Sequence, residues 1–332
     1  MLYIIGLGLG DEQDITEKGA AAIRSSDKIF LESYTAILPG VSVEKLSNYF
    51  GVKSIILAHR ETVESEAETI LIPALTETVS FLVVGDPFGA TTHTDLFLRA
   101  AKLGVITEVI HNASIMNAIG ACGLQLYSFG QTVSIPFFRK DWQPDSWYDK
   151  IFFNQSGGLH TLCLLDIKVR EPNFEVLVKT GKLTHDPPRF MTINTAIKQL
   201  LLTESKRQLG VCGPSTLAVG LSRVGQRKKK RQMMMIHTKE EELEKKNVLI
   251  NEKEDILDSF DDNTGQRIIS GTLEQLLKIN FGDPLHSLVI VGSGVHDLEK
   301  DMLDFFKAKG NEPLYYEPIE KEGEEDEDND DE

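Results

Sequence analysis

The sequence predicts an α/β protein in two parts, a mostly parallel sheet with helices followed by a mixed α+β region. Short apolar runs alternate with helix-length segments through the first 110 residues, as parallel strands joined by crossovers require. After about Ile110 this gives way to short strands separated by single helices. The apolar run Phe81-Leu82-Val83-Val84 stops sharply at Gly85-Asp86-Pro87-Phe88-Gly89-Ala90-Thr91-Thr92-His93. Pro87 cannot donate to a ladder, and Gly85 and Gly89 permit backbone conformations closed to other residues. In open α/β sheets ligands bind at such strand ends, although an ordinary turn explains Gly-Asp-Pro equally well.

Taken in order, residues 2–7 read as the first strand, and a helix opens near the N-cap candidate Thr16. Strands follow at 28–31, 54–57, 81–84 and 105–110, with helical segments at 43–50, 63–75 (broken by Pro73) and 95–102. A helix over 113–122 leads to 131–135, a helical stretch around 147–153 and a strand at 161–165. Elements at 193–202, 209–212, 267–269 and 288–291 precede a closing helix over 296–306. The expected domains are 1–112 and 113–316, the second interrupted at 227–264. That segment opens with Arg-Lys-Lys-Lys-Arg, is low in aromatic residues and carries no strand pattern. It reads as a solvated surface insertion, with a nuclear-import or docking patch as the alternative.

The formal charge of −16 is unevenly spread, because residues 317–332 hold eleven acidic residues and one lysine. Such a run reads as a disordered, solvated tail. No compact basic stripe of the kind phosphate backbones require is present, so no direct nucleic-acid partner is expected. Cys122, Cys163 and Cys212 are odd in number and lack C-x-x-C spacing, which fits buried thiols in a reducing compartment and no metal site. The apolar N-terminus has no basic region and meets Asp11 and Glu12 early, so it reads as a strand rather than a signal peptide. No apolar stretch approaches the roughly 20 residues of a bilayer span. A cytoplasmic protein without a membrane partner is expected.

Gly6-Leu7-Gly8-Leu9-Gly10 invites a dinucleotide reading, with Glu32 as the ribose carboxylate. The G-x-G-x-x-G spacing fails, however, because Asp11 stands at the third glycine and the helix begins only near Thr16. Consecutive small residues instead suggest a ligand lying against the backbone. No G-x-x-x-x-G-K-[ST] occurs, so an NTPase has no support.

The pairing of Tyr3-Ile4-Ile5-Gly6-Leu7-Gly8-Leu9-Gly10 with Gly85-Asp86-Pro87 resembles the tetrapyrrole-methylase superfamily of S-adenosylmethionine-dependent methyltransferases. More narrowly, residues 85–93, His111-Asn112-Ala113-Ser114-Ile115-Met116-Asn117-Ala118, Gly123-Leu124-Gln125-Leu126-Tyr127, residues 161–168 and Pro284-Leu285-His286-Ser287-Leu288 are similar to the diphthine synthase family. The resemblance covers nearly everything from residue 1 to about 306 except the insertion. It implies a two-domain fold with S-adenosyl-L-methionine in the cleft between domains, and a homodimer. It also implies methylation of a 3-amino-3-carboxypropyl group on a histidine of translation elongation factor 2. In the eukaryotic type the amine is trimethylated and the carboxylate esterified, giving diphthine methyl ester.

The resemblance carries cofactor positions onto Leu9, Asp86, Gly89, Ser114, Ile115, Leu165, Val224 and His286. Asp86 and Gly89 would hold the methionine portion, with Asp86 pairing its ammonium group and Ser114 binding its carboxylate. Leu165, Val224 and His286 would surround the adenosine. Without the resemblance, Leu165, Ile115 and Val224 each read as core residues, and the insertion beginning just beyond Gly225 bears most on Val224. The donor is already activated, so alignment and exclusion of water are the main tasks, and a covalent nucleophile is unnecessary. His93 is a candidate base, equally explained as a helix-start cap or a substrate contact, and Asp166 is similarly placed. The competing functions are a tetrapyrrole or RNA methylase, a nicotinamide-dependent oxidoreductase, and a binding protein without turnover.

Overall fold

The structure, a computed structural model, describes residues 1–169, 171, 174–182, 184–226 and 265–316. The first sheet is wholly parallel. Strands β1 (Leu2–Gly6), β2 (Lys28–Glu32), β3 (Ile56–Ala58), β4 (Val79–Val83) and β5 (Thr107–Ile110) lie in the order β3-β2-β4-β1-β5. Helices α1 (Glu17–Arg24), α2 (Val43–Phe50), α3 (Arg60–Glu64), α4 (Glu68–Leu71) and α5 (Thr94–Lys102) occupy the connections. Side chains alternate across a strand, so Leu2 and Ile4 enter one core with Phe81, Val83 and Leu96. Ile5 enters the opposite core with Ile23, Leu46 and Leu82. Burial on both faces explains why β1, β2 and β4 read as near-continuous apolar runs, while the edge strand β3 leaves Ile56 and Leu57 exposed. Thr16 caps α1 as expected, its hydroxyl accepting the Gly19 N–H at 3.0 Å.

After β5 the chain forms α6 (Ile115–Ala118), β6 (Val133–Ile135), α7 (Ser146–Ser156) and β7 (Thr161–Leu165). A small antiparallel ribbon follows, β8 (Ile167–Lys168) with β9 (Arg189–Phe190), flanking α8 (Phe174–Thr180). Next come α9 (Ile193–Arg207), β10 (Leu217–Ser222), β11 (Arg267–Thr272), α10 (Leu273–Leu276), β12 (His286–Ile290) and α11 (Asp297–Phe305). The second sheet has the order β11-β10-β12-β7-β6, antiparallel except for β6 with β7. Ala218, Leu288 and Ile290 face α7 and α9, while Val219, Leu221 and Val289 face Ile119, Cys122 and Leu303.

Several segments depart from the sequence reading. β10 was not expected, since Gly220 and Ser222 weaken its strand pattern. Gly220 stands there because a Cβ would lie 2.4 Å from the Phe281 ring, so the two elements approach only through glycine. Residues 209–212 form a loop instead of an element. Glu204 gathers that loop, accepting the N–H groups of Gly210 at 2.7 Å, Val211 at 2.8 Å and Cys212 at 2.7 Å. Segment 63–75 is broken twice, between α3 and α4 and again at a 3₁₀ turn, Pro73–Leu75. Segment 113–122 is α6 followed by a 3₁₀ turn, Ile119–Cys122, ended by left-handed Gly123. The predicted insertion 227–264 and tail 317–332 lie outside the described residues. Among the described residues no helix is long and apolar enough to cross a membrane. All three cysteines are free and buried.

Candidate active site

β1 and β4 are neighbours, and the loops leaving their C-terminal ends bond to each other. Gly85 N–H donates to Gly8 O at 2.8 Å, and Gly8 N–H returns to Gly85 O at 3.2 Å. The glycines of residues 6–10 admit neighbouring chain. A Cβ at Gly6 would stand 2.6 Å from Gly85 O, at Gly8 2.7 Å from Asp14 Cβ, and at Gly10 2.6 Å from Gly225 O. The expectation of bare backbone open to a ligand is therefore revised, and Leu9 is the residue of this loop that faces open space.

That space is a cavity of about 430 Å³ lined from both sheets. Its size lies in the range of small-molecule sites, roughly 300–1,000 Å³. Seven of the eight predicted positions line it: Leu9, Gly89, Ser114 and Ile115 from loops of the first sheet, and Leu165, Val224 and His286 from the second. Asp86 is not among the lining residues. Its Oδ1 accepts the Phe88 N–H at 2.9 Å, and its Oδ2 accepts the Asn112 N–H at 3.1 Å and bonds His111 Nδ1 at 2.8 Å. Partial burial alone would raise this carboxyl, but those backbone N–H groups and the His111 ring outweigh it and hold it below its ordinary value. Asp86 thus ties the end of β4 to the end of β5. Asn112 extends the brace, its Nδ2 donating to Gly6 O and Asp14 O, each at 3.0 Å.

Ser114 is the buried hydroxyl of this wall. Its Oγ accepts the Met116 N–H at 3.2 Å as the N-cap of α6, which leaves its own O–H proton to donate. Gly89 is cut back to make room for it, since a Cβ there would lie 2.6 Å from both Ser114 Cβ and Oγ.

His286 occupies the opposite wall. Its Nδ1 accepts the Ile193 N–H at 3.3 Å, so Nε2 carries the proton and donates to Gly282 O and Asp283 O, each at 3.1 Å. Burial, reinforced by the Arg223 guanidinium, pushes its pKa down to about 4, and the ring is neutral. Arg223, at φ 50°, donates from Nε to Gly265 O at 3.0 Å and from Nη1 to Phe281 O at 3.1 Å. It places Val224 beside the cavity.

His93 is fully buried, and it is not among the cavity-lining residues. Its ring lies edge-on to Phe81 at 5.3 Å, and Nδ1 bonds Pro87 O at 3.2 Å. Burial lowers its pKa. These contacts make it a packing residue under the strand end. Asp166 does line the cavity.

Sequence reasoning missed Tyr34, Thr35 and Arg60, which follow β2 and β3 and also line the cavity. The strand-end rule applied to β4 would have found them. Glu32 holds this corner. Its Oε1 accepts the N–H groups of Tyr34 at 2.9 Å and Thr35 at 2.6 Å, and its Oε2 accepts the Thr35 hydroxyl at 2.8 Å. Both oxygens are consumed by the turn, which removes Glu32 as a ribose ligand. The Arg60 guanidinium lies 5.1 Å above the Tyr34 ring. Burial, with Glu32 and Glu64 nearby, raises the Tyr34 phenol to about 12, so it stays protonated at neutral pH.

These walls fit S-adenosylmethionine. A buried hydroxyl with a proton to donate lines the cavity and would suit the cofactor's carboxylate, and apolar side chains from both sheets flank it.

Residues 1–181 match the Tetrapyrrole (Corrin/Porphyrin) Methylases. The chain is 50% identical to the diphthine methyl ester synthase of Dictyostelium discoideum, over 94% of this chain and 100% of that one. It is 46% identical to the diphthine methyl ester synthase of Homo sapiens, over 94% of this chain and 96% of that one. The fold superposes on a crystal structure of a candidate diphthine synthase from Entamoeba histolytica with a TM-score of 0.72 and 44% identity, covering 93% and 99% of the two chains. The chain therefore belongs to the diphthine methyl ester synthase family of the tetrapyrrole methylases, S-adenosylmethionine-dependent methyltransferases of diphthamide biosynthesis.

Proposed function

We propose that the acceptor is the 3-amino-3-carboxypropyl group on a histidine of translation elongation factor 2. The chain trimethylates its amine and esterifies its carboxylate, giving diphthine methyl ester. The reading is supported by a cavity that gathers seven predicted cofactor positions from both sheets, in a chain matching diphthine methyl ester synthases along nearly its whole length.

S-adenosylmethionine, when bound, supplies a methyl group already activated on sulfur. The chain's residues hold, orient and dry the site. The Ser114 hydroxyl donates to the cofactor carboxylate, and Gly89 keeps that hydroxyl on the wall. Leu9, Ile115, Leu165 and Val224 provide apolar walls that exclude water. Neutral His286 closes the adenosine side. Asp86 acts through position, holding the β4 and β5 loops together rather than pairing the ammonium group directly. The domain division at 112/113, a homodimeric assembly and a cytoplasmic location belong to the same proposal. The buried thiols suit a reducing compartment.

The test uses isotope-labelled S-adenosylmethionine with elongation factor 2 that carries the unmethylated group, and with factor whose histidine is unmodified. Label enters only the first on this account. Equal labelling of both would refute the acceptor assignment.

A further inference from the structure

Asp166 is, among the described residues, the one carboxylate that lines the cavity; the other ionisable lining groups are Arg60, Arg223, neutral His286 and the Tyr34 phenol. Its backbone is fixed on two sides, with its N–H donating to Ile135 O at 3.2 Å and its carbonyl accepting the Met191 N–H at 2.9 Å. One carboxylate oxygen, Oδ2, accepts the Phe137 N–H at 3.0 Å and lies 3.8 Å from Lys168 Nζ. Lys168 is shared with Glu171, at 3.6 Å. The other oxygen, Oδ1, has no hydrogen-bond partner among the described residues. A firmly held, largely buried carboxylate thus lines the site with one oxygen that no described protein donor occupies, where its field is stronger than in bulk water.

We propose that Asp166 is the catalytic carboxylate that meets the acceptor nitrogen and separates amine transfer from ester transfer. The inference rests on the acceptor reading above. In amine transfer the nitrogen lone pair forms the new N–C bond as the S–C bond breaks, and the S–C electron pair stays on sulfur. Positive charge passes from sulfur to nitrogen, and the surplus N–H proton leaves to solvent before the next transfer. Asp166 stabilises the charge that develops on nitrogen, an interaction stronger in the transition state than with the neutral amine. In ester transfer a carboxylate oxygen loses its negative charge as the O–C bond forms, so a neighbouring anion offers no such stabilisation. Asp166 therefore accelerates the first reaction and not the second.

The experiment compares Asp166→Asn and Asp166→Glu with wild type on two forms of elongation factor 2. One carries the unmethylated group, and the other carries the trimethylated amine with a free carboxylate. Binding of S-adenosylmethionine and of each acceptor form is measured by calorimetry, and thermal melts report folding. Asp166→Asn keeps an acceptor for the Phe137 N–H. The expected result is an amine-transfer rate lowered on the order of 100-fold, an ester-transfer rate lowered by far less, unchanged cofactor affinity, and partial rescue by Asp166→Glu. Equal losses in both reactions, a proportionate loss of cofactor affinity, or unchanged amine transfer would each overturn the proposal. Wild type that methylates neither acceptor form would overturn the acceptor reading itself, and the proposal with it.

Discussion

Gly89→Ala tests the packing that keeps Ser114 on the cavity wall. The new Cβ would stand 2.6 Å from Ser114 Cβ and Oγ, where apolar contacts settle at about 3.5–4.0 Å. Roughly 1 Å must be found by displacement. Ser114 cannot yield freely, being buried and bonded at both ends, with its N–H donating to Asn117 Oδ1 at 2.9 Å. The Gly89 backbone is outside the left-handed region, so the substitution carries no conformational penalty, and the cost is steric. Overpacking of this kind costs about 1–3 kcal/mol. Ser114→Gly removes both colliding atoms and costs only a few tenths of a kcal/mol as a cap change. In that background Gly89→Ala should be nearly neutral, giving a coupling energy of about 1–3 kcal/mol. Urea midpoints of the four proteins, with unchanged slopes, measure it. Calorimetry with S-adenosylmethionine should show weaker binding for Gly89→Ala. A Gly89→Ala cost that is the same with and without Ser114 would refute the reasoning.

The depressed folded pKa of His286, about 4 against 6.5, means that the unfolded chain takes up the proton first as pH falls. Its contribution is complete above pH 6.5 and is lost toward pH 4, by about 3 kcal/mol; urea titrations across that window should steepen for wild type relative to His286→Asn. Glu299→Ala should cost about 1–3 kcal/mol in a urea titration, because the buried His160 Nε2 and the N–H groups of Gln125 and His296 share that carboxylate and would lose their acceptor. Burial alone would raise the Glu299 carboxyl, but these donors hold it below its ordinary 4.5. Its stabilisation is therefore complete above that pH and is lost as pH falls through the lower folded value, so the acid limb of the stability curve should shift in Glu299→Gln. His93→Asn should leave the shape of the amine-methylation pH profile between pH 6 and 9 unchanged, since the ring is sealed beneath the cavity wall.

The first sheet was legible because its inner strands β1, β2 and β4 are buried on both faces and two of its helices begin at side-chain caps, Thr16 and Ser42. β10 was hidden because its composition answers to neighbours distant in sequence, Gly220 to Phe281 above all. Leu165, Ile115 and Val224 became site candidates only through the family resemblance, since apolar residues carry no chemical signal of their own. Asp86 shows a different limit. An Asp in a glycine-rich turn reads alike whatever its carboxylate meets, and only the fold shows Asp86 accepting the N–H groups of Phe88 and Asn112. Tyr34 and Arg60 enter through tertiary closure of the β2 and β3 ends over the same cavity.

The most direct test of the acceptor and of the reaction's extent is mass spectrometry of elongation factor 2 carrying the unmethylated 3-amino-3-carboxypropyl-histidine, after incubation with the protein and S-adenosylmethionine. The account predicts a gain of four methyl groups on that residue, three on the amine and one removable by mild alkaline hydrolysis as an ester. A residue that gains no methyl group would contradict it.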